Sequence, residues 1–508
     1  MNVPARLALL LLTVVAVFWG FWSYGLFDLD EGIYAAALTE MRLRGDWLVP
    51  TYGGTPFFEK PILQYWVALG ALGLGVPGEL ALRLPAVLAS LGTLLLVYRF
   101  ARARWGETAA LASAGALALS PLFAGIGRMF MPDAVLVFFL TAAMLAFWSS
   151  VEGSVRSRWL ALACLGAAVL AKGPMPVAIF LPAVAFLWLR RPEVRPRLRG
   201  GWLGGCALFL TVVAAWYVPV AVREGGAFFQ EFVIRQNLGR LAGGDTAHLG
   251  PVYFYLPVLL VGFAPFSLAL PIVWKDRGRD ALSGYLWAWA LSVLILFSLA
   301  GSKLPHYILP MFPPIALLFG CWQARSGARL PYLATGWFLL LGIGLLVASG
   351  GLGEYQRLGF GLGIACLLGT VVGLVAHARG AEFATQAWLA AVPFVLYALH
   401  AGLPEYWATT HASVRTLAEA ARRHGGPVRS YRMGGMGEPG VVSHPSFQWY
   451  WGRVVQRVDW PDEALARDGL LLTRRGRLRV PGLDHRGASA SLLFASGDLV
   501  LFQIERGE

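Results

Sequence analysis

The stretch "LALLLLTVVAVFWGFWSY", Leu7 to Tyr24, runs for 18 residues without a charge, and "DLDEGIYAAALTEMRLRGDWLVPTYGGTPFFEKPILQYW", Asp28 to Trp66, follows it with nine. An uncharged apolar run of about 20 residues is the length that crosses the hydrocarbon core of a bilayer as a helix. Arg6 precedes it and no small-residue cleavage site follows, so it reads as a retained first helix and not as a removed signal peptide. The charged segment after it then opens the first loop on the far side of the membrane.

The rest of the chain extends the same pattern. Of 508 residues 57% are hydrophobic and 14% charged, and the mean hydropathy is +0.60, outside the range of water-soluble domains. Roughly thirteen candidate helices of spanning length lie near 7–25, 79–100, 107–124, 130–149, 158–172, 174–190, 201–221, 251–273, 283–300, 305–324, 331–350, 358–378 and 386–402. The four cysteines, Cys164, Cys206, Cys321 and Cys366, fall in separate apolar runs, where a thiol acts as a small hydrophobe and implies no disulfide framework. The net charge of +13 is spread over short loops without a basic, aromatic-interleaved patch, which excludes nucleic acid as the expected partner.

Those loops set the orientation. "RFARARWGE", "VEGSVRSR", "RRPEVRPRLRG", "KDRGRD", "ARSGAR" and "HARG" alternate with loops poor in positive charge and are expected to face the cytoplasm. The long segments 26–78 and 223–250, and the turns holding Arg128, Lys172 and Lys303, are then expected to face outward. From Pro404 the composition becomes charged and water-compatible: "HASVRTLAEAARRHGG" reads as an amphipathic helix ended by Gly425, and "PVRSYRM", "VVQRV", "GLLLTRR" and "SLLFASGDLVLFQI" read as strands. The expected organisation is a polytopic α-helical membrane domain, 1–403, with a small α/β domain, 404–508, outside the cytoplasm. No internal repeat is evident, which weighs against an inverted-repeat transporter.

The outward polar residues are selective. Only four of the 42 Lys plus Arg are lysines, and three of them, Lys60, Lys172 and Lys303, sit in outward turns beside helix ends. A lysine ammonium is a compact charge with three donors, suited to a phosphate approached from varied directions, although snorkelling at a membrane interface uses the same residue. Asp30 and Glu31 precede apolar positions Ile33, Ala36, Ala37 and Met41 at helical spacing, and acids are favoured at a helix start with or without a further role. In "GRMFMPDAVLVFF", Pro132 opens a helix with Asp133 at its mouth; this acid is a site candidate or the helix-start partner of Arg128. The second outer loop, "FFQEFVIRQNLGRLAGGDTAHLGPVYFY", adds Arg235, Asn237, Arg240 and His248. Glu59 and His248 are a possible metal pair, with too few ligands to define a site.

Taken in order, "DE..YA…GDW..P…FFEKP…YW", "R....PD", "KG", "N..R…H.GP.YFY" and "GSKLPHYILPMFPP" resemble bacterial 4-amino-4-deoxy-L-arabinose transferases and the wider family related to protein O-mannosyltransferases. The resemblance covers most of the membrane part. It implies a glycosyltransferase of the GT-C type in the bacterial inner membrane, taking a sugar, aminoarabinose in that family, from a polyprenyl-phosphate donor to lipid A or another lipid or protein acceptor at the periplasmic face. A protein O-mannosyltransferase-like enzyme is the alternative within the family, and a transporter of lipid-linked sugars the alternative outside it. By the same resemblance Asp30 matches the catalytic acid, with Asp133 and Glu31 beside it; Lys60 and Lys303 match donor-phosphate contacts, joined by Arg128 and Lys172; Arg235, Asn237, Arg240 and His306 are substrate candidates; Glu59 and His248 match positions of a structural metal, zinc. Gln236 stands where an acid is common, and the second acid follows the proline of "MPD" instead of preceding it.

Chemistry agrees with that inventory. A sugar leaving on phosphate needs cations to receive developing charge and not the paired carboxylates of a glycosidase. The thirteen-helix reading places residue 508 outside the cytoplasm, so a reporter active only in the cytoplasm, fused after Glu508, is expected to be silent; an active reporter means that the helix count is off by an odd number.

Overall fold

The computed structural model describes residues 3–198, 200–239, 249–276, 278, 280–327, 332–431, 444–458, 460–475, 488–496 and 499–506. Two compact units account for the chain: one holds Met1–Phe21, Glu59–Val67 and Arg83–Leu403, the other Trp22–Phe58, Ala68–Leu82 and Pro404–Glu508.

Among the described residues the elements of the first unit are helices. Each of the thirteen apolar segments contains a helix, yet among the described residues seven helices are long and apolar enough to cross a membrane, or eight if the bent pair Val252–Gly262 and Phe266–Lys275 is one span. Thirteen crossings are therefore not established. That pair is bent by 113°, and Val3–Phe18, Met175–Arg190 and Leu333–Ser349 are apolar but short. The two predicted helices 79–100 and 107–124 meet at Gly106, whose φ of 82° interrupts Gly78–Ala118 in a conformation that glycine alone adopts without strain.

Surface composition shows what solvates this unit. On Trp202–Glu224, Leu203 is 89% and Val222 81% exposed, an arrangement that water penalises and lipid does not. Close helix approach relies on small residues, as in other membrane bundles. A Cβ on Gly369 would lie 2.3 Å from the Ala390 carbonyl oxygen, so the helices Gln356–Ala378 and Phe383–Tyr397 meet where only glycine fits.

The second unit is a mixed α/β structure. Ala412–His424 buries Val414, Leu417, Ala418 and Ala421, the stripe expected of an amphipathic helix, and ends at Gly425 (φ 75°). Strands β3 (Val428–Tyr431), β4 (Gln456–Val458), β5 (Gly469–Arg474), β6 (Ala488–Ser496) and β7 (Leu499–Arg506) form one sheet in the order β4-β3-β5-β7-β6. β3 runs parallel to β4 and β5, whereas β7 is antiparallel to β5 and β6. Tyr431, Val458, Ala464, Leu465, Leu471 and Ile504 form its core. The segment read as one strand, "SLLFASGDLVLFQI", divides between two antiparallel strands, β6 and β7.

The acidic stretch also folds in this unit. Asp30–Arg44 is a helix capped by Gly45, and a hairpin of β1 (Thr51–Tyr52) and β2 (Thr55–Pro56) follows. Glu40, 1% exposed, ties them together: its carboxylate accepts from the Thr51 hydroxyl (2.6 Å), Gly53 N–H (2.7 Å), Gly54 N–H (3.1 Å) and Gln448 Nε2 (2.9 Å). Asp28 accepts from Ser446 N–H at 2.8 Å and lies 3.0 Å from His444 Nδ1. Leu29 adopts φ 73°, ψ −72°, a strained conformation for a branched residue, directly before the exposed Asp30.

Removal of the Glu40 carboxylate leaves several donors without their acceptor. Glu40→Ala is expected to destabilise the fold by about 3 kcal/mol, read as a lowered unfolding midpoint in detergent, with Glu40→Gln intermediate. An unchanged midpoint shows that water replaces the carboxylate.

Candidate active site

Three chain segments of the helical unit build the site, and each is placed by ordinary helix chemistry. Pro132–Val151 begins with Pro at its first position and Asp133 in its first turn, where the fixed φ of proline and the positive end of the helix dipole favour them. Val155–Lys172 ends on Lys172 before Gly173 (φ 86°), the end at which a cation is favoured. The 3-10 helix Pro305–Met311 carries His306 and Tyr307.

These ends converge. Lys172 Nζ lies 2.5 Å from Asp133 Oδ1, His306 Nε2 lies 3.9 Å from Asp133 Oδ2, and the Lys172 ammonium sits 4.6 Å from the centre of the Tyr307 ring. The Lys172 and Asp133 side chains are 8% and 2% exposed, so the pair is held out of water, where an ion pair survives only by good geometry. Asp133 uses one of the three N–H groups of Lys172 and fixes its direction.

Beside the pair lies a cavity of about 260 Å³. Glu59, Lys60, Lys172, Gln236, Ser302 and Tyr307 give it a polar side, and Met175, Ala178, Phe232, Leu296 and Phe297 an apolar wall. The Ser302 hydroxyl and Gln236 Oε1 are buried and have no hydrogen-bond partner among the described residues. Two ammonium groups next to an apolar wall suit an anion that carries a hydrocarbon chain.

The remaining predicted residues are distributed differently. Lys303, 5% exposed, turns its ammonium to the carbonyls of Phe297 (3.4 Å), Ser298 (2.9 Å) and Ala300 (2.5 Å) at the end of helix Ala281–Leu299 and does not line the cavity. Fully buried Arg128 donates to the Val17 carbonyl at 2.7 Å. Both cations take helix-end carbonyls. Buried Glu31 accepts from Phe27 N–H at 3.1 Å, a helix-start role. Exposed Arg235 pairs with Glu231 at 3.2 Å. Asp30 belongs to the second compact unit. Arg240 and His248 lie outside the described residues, and of Asn237 only the backbone is described. Among the described residues no group of three or more His, Cys, Asp or Glu is placed to hold a metal.

Sequence reasoning missed Tyr307, Ser302 and Gln236 as lining residues. The first two stand inside the "GSKLPHY" motif and were reachable from it; Gln236 depends on the π-helical winding of Phe229–Gly239, which no local pattern announces.

Comparison with known proteins adds an independent line. A family model described as dolichyl-phosphate-mannose-protein mannosyltransferase matches residues 59–218. A protein of Erwinia tasmaniensis named undecaprenyl phosphate-alpha-4-amino-4-deoxy-L-arabinose arabinosyl transferase is 33% identical over 345 residues, 64% of this chain and 62% of the relative. The chain thus aligns with about three fifths of that relative's length. A second protein of that name, numbered 2, from Pseudomonas fluorescens is 31% identical over 420 residues, 76% of this chain and 69% of the relative. Among solved structures, ArnT from Cupriavidus metallidurans bound to undecaprenyl phosphate superposes with a TM-score of 0.80 at 21% identity, over 99% of this chain and 97% of that one. The apo oligosaccharyltransferase of Archaeoglobus fulgidus gives 0.52 at 13% identity, over 91% and 65%. The fold is that of these GT-C proteins.

The ion pair predicts a specific double-mutant pattern. Asp133→Ala leaves the Lys172 ammonium buried without its carboxylate and is expected to cost about 3–5 kcal/mol of stability; Asp133→Leu with Lys172→Met, which removes both charges, is expected to recover most of it. Thermal unfolding in detergent reads both, and equal loss in the single and double variants refutes the coupling.

Proposed function

We propose that this chain, which belongs to the family of undecaprenyl phosphate-alpha-4-amino-4-deoxy-L-arabinose arabinosyl transferases, is a membrane glycosyltransferase that moves a sugar from a polyprenyl-phosphate donor to an acceptor at the outer face of the bacterial inner membrane. The observation that carries this reading is the cavity in which Lys60 and Lys172 face an apolar wall. A polyprenyl phosphate has the same two parts, an anion and a hydrocarbon chain.

The chemistry follows from the leaving group. As the bond between the sugar and the phosphate oxygen breaks, negative charge grows on the phosphate, and ammonium groups already in place stabilise it without reorganisation. Asp133 holds Lys172 for this task and screens it from its own burial. Phosphate leaves as a stable anion, so no general acid is required. We assign the phosphate contacts to Lys60 and Lys172; Lys303, with three carbonyls around its ammonium, and Arg128 stabilise helix ends instead.

Asp30 is the carboxylate we assign as the base for a hydroxyl acceptor. It is exposed, and the strained residue before it is of the kind that marks functional positions. A hydroxyl acceptor loses its proton as it attacks, and a carboxylate base there contributes typically about 10²–10⁴ in rate; a phosphate acceptor, as on lipid A, is already anionic and gains little. The transferred sugar in this reading is 4-amino-4-deoxy-L-arabinose, as in the relatives' names, and lipid A is the acceptor; the match of residues 59–218 to a protein mannosyltransferase model favours a protein hydroxyl as the second reading. If Glu59 and His248 hold zinc, its place is structural, and no step of the transfer runs through it.

Two substitutions test these assignments. Lys60→Ala is expected to reduce kcat/KM for the polyprenyl-phosphate sugar by about tenfold to a hundredfold, the worth of one charge-assisted hydrogen bond; full turnover in a folded variant removes Lys60 from the site. Asp30→Asn keeps the shape and removes the base, so most activity is expected to vanish with a hydroxyl acceptor and to persist with a phosphate acceptor.

A further inference from the structure

A second cavity, of about 320 Å³, lies toward the opposite face of the helical unit from Lys60 and Lys172. Helix Ala281–Leu299 joins the two: Ser283 in its first turn lines this cavity, and Leu296 near its end lines the other. At 1.5 Å per residue those positions are about 20 Å apart along the axis, most of the apolar thickness of a bilayer. The loops beside the second cavity, "KDRGRD" and "ARSGAR", are among the basic ones expected at the cytoplasmic face. Its floor is apolar and buried, formed by Val273, Leu318, Cys321 and Trp322. Trp274, next along the chain from Val273, packs edge-on against Trp287 at 4.7 Å. Tryptophan collects at the level where hydrocarbon meets headgroups.

The rim of this cavity carries one carboxylate and one guanidinium, Asp276 and Arg325, both exposed. Leu318, Cys321, Trp322 and Arg325 recur three and four residues apart on Phe312–Ser326, so a single helix face supplies both floor and cation. Asp276 Oδ2 accepts from Trp322 Nε1 at 3.1 Å, which orients the carboxylate. The neighbouring acid, Asp280, is committed to the start of the next helix, where it accepts from Ser283 N–H at 2.8 Å and from the Ser283 hydroxyl at 2.7 Å. A Cβ on Gly278 would lie 3.3 Å from Arg325 Nη1, so glycine leaves the guanidinium its room. Among the described residues neither Asp276 nor Arg325 enters an ion pair, although both line one cavity. Two opposite charges held apart over an apolar floor suit a ligand that carries both charges in the reverse order and an apolar end. Guanidinium matches phosphate through its planar fork, and a carboxylate, which only accepts, matches an ammonium with N–H groups.

We propose that this cavity binds the headgroup of a phosphatidylethanolamine-type lipid, with the phosphate on Arg325, the primary ammonium on Asp276 and the glycerol end over Val273, Leu318 and Trp322. Free phosphorylethanolamine offers the same two charges, but the apolar floor and the tryptophans beside it select the lipid. The inference is independent of the donor reading of the other cavity. It predicts discrimination between headgroups: a choline headgroup keeps the positive charge but has no N–H to give Asp276, and a glycerol headgroup has no positive charge at all.

Native mass spectrometry of the purified full-length protein in a sugar-based detergent tests this, with phosphatidylethanolamine, phosphatidylcholine and phosphatidylglycerol of equal chain length titrated in turn. The unsubstituted protein is expected to bind phosphatidylethanolamine about tenfold more tightly than either of the others, the worth of one charge-assisted hydrogen bond. Asp276→Asn keeps an acceptor for Trp322 and removes the charge, and is expected to bring phosphatidylethanolamine down to the affinity of phosphatidylcholine. Arg325→Gln is expected to weaken all three by about tenfold, since all three carry the phosphate. Lys60→Ala is expected to leave all three unchanged, which separates this cavity from the other. Equal binding of the three lipids by the unsubstituted protein, a preference that survives Asp276→Asn, or no effect of Arg325→Gln overturns the proposal. Displacement of the lipid by phosphorylethanolamine at equal concentration overturns the choice of a lipid and makes the ligand a water-soluble one. Thermal unfolding of each variant separates loss of binding from loss of fold.

Discussion

Helix-end carbonyls in an apolar medium must find donors, because neither lipid nor apolar side chains supply them. In the helical unit buried cations answer that demand. Arg128 takes the Val17 carbonyl, Arg83 donates at 2.8 Å to the Phe21 carbonyl in the turn that follows the same helix, and Lys303 takes three carbonyls at the end of Ala281–Leu299. The last of these has the longest reach into function. It fixes the turn between that helix and Pro305–Met311, and so the position of His306 and Tyr307 beside Asp133 and Lys172.

The same constraint explains what could be read from the amino-acid sequence and what could not. Helical segments, the amphipathic helix Ala412–His424 and most strands were legible because periodicity and capping are local. Asp133 was legible as a mouth residue because a proline fixes the helix start just before it. Lys60, Lys172, Lys303 and Arg128 form an undivided set in the sequence, all cations in turns at helix ends. Which of them meets carbonyls and which lines a cavity is decided by the direction of each side chain in three dimensions. Glu40 was hidden for a related reason: it reads as a surface acid on a polar helix face, and only the hairpin and Gln448, 408 residues away, make it a buried hub.

The cavity itself is a compromise between two solvents. Its apolar wall would exclude an isolated ammonium, and Lys172 is tolerated there because Asp133 shares its burial and Tyr307 offers the face of its ring. This pairing lowers the field that an incoming anion feels and in exchange gives it a fixed direction. Lys60, on the chain just before helix Leu63–Gly73, lines the same cavity. In the proposed reading this balance favours an anion that brings its own apolar chain over small inorganic anions.

The backbone at Leu29 has a consequence for anyone who would make this protein hardier. Its left-handed conformation holds on the order of 1–3 kcal/mol of strain, and glycine would adopt it at little cost. Leu29→Gly therefore looks attractive as a thermostabilising change, yet glycine would also let the segment sample other turns and would loosen the carboxylate of the next residue. Stability and preorganisation pull in opposite directions at this one position, and resistance to heat is the wrong quantity to optimise there.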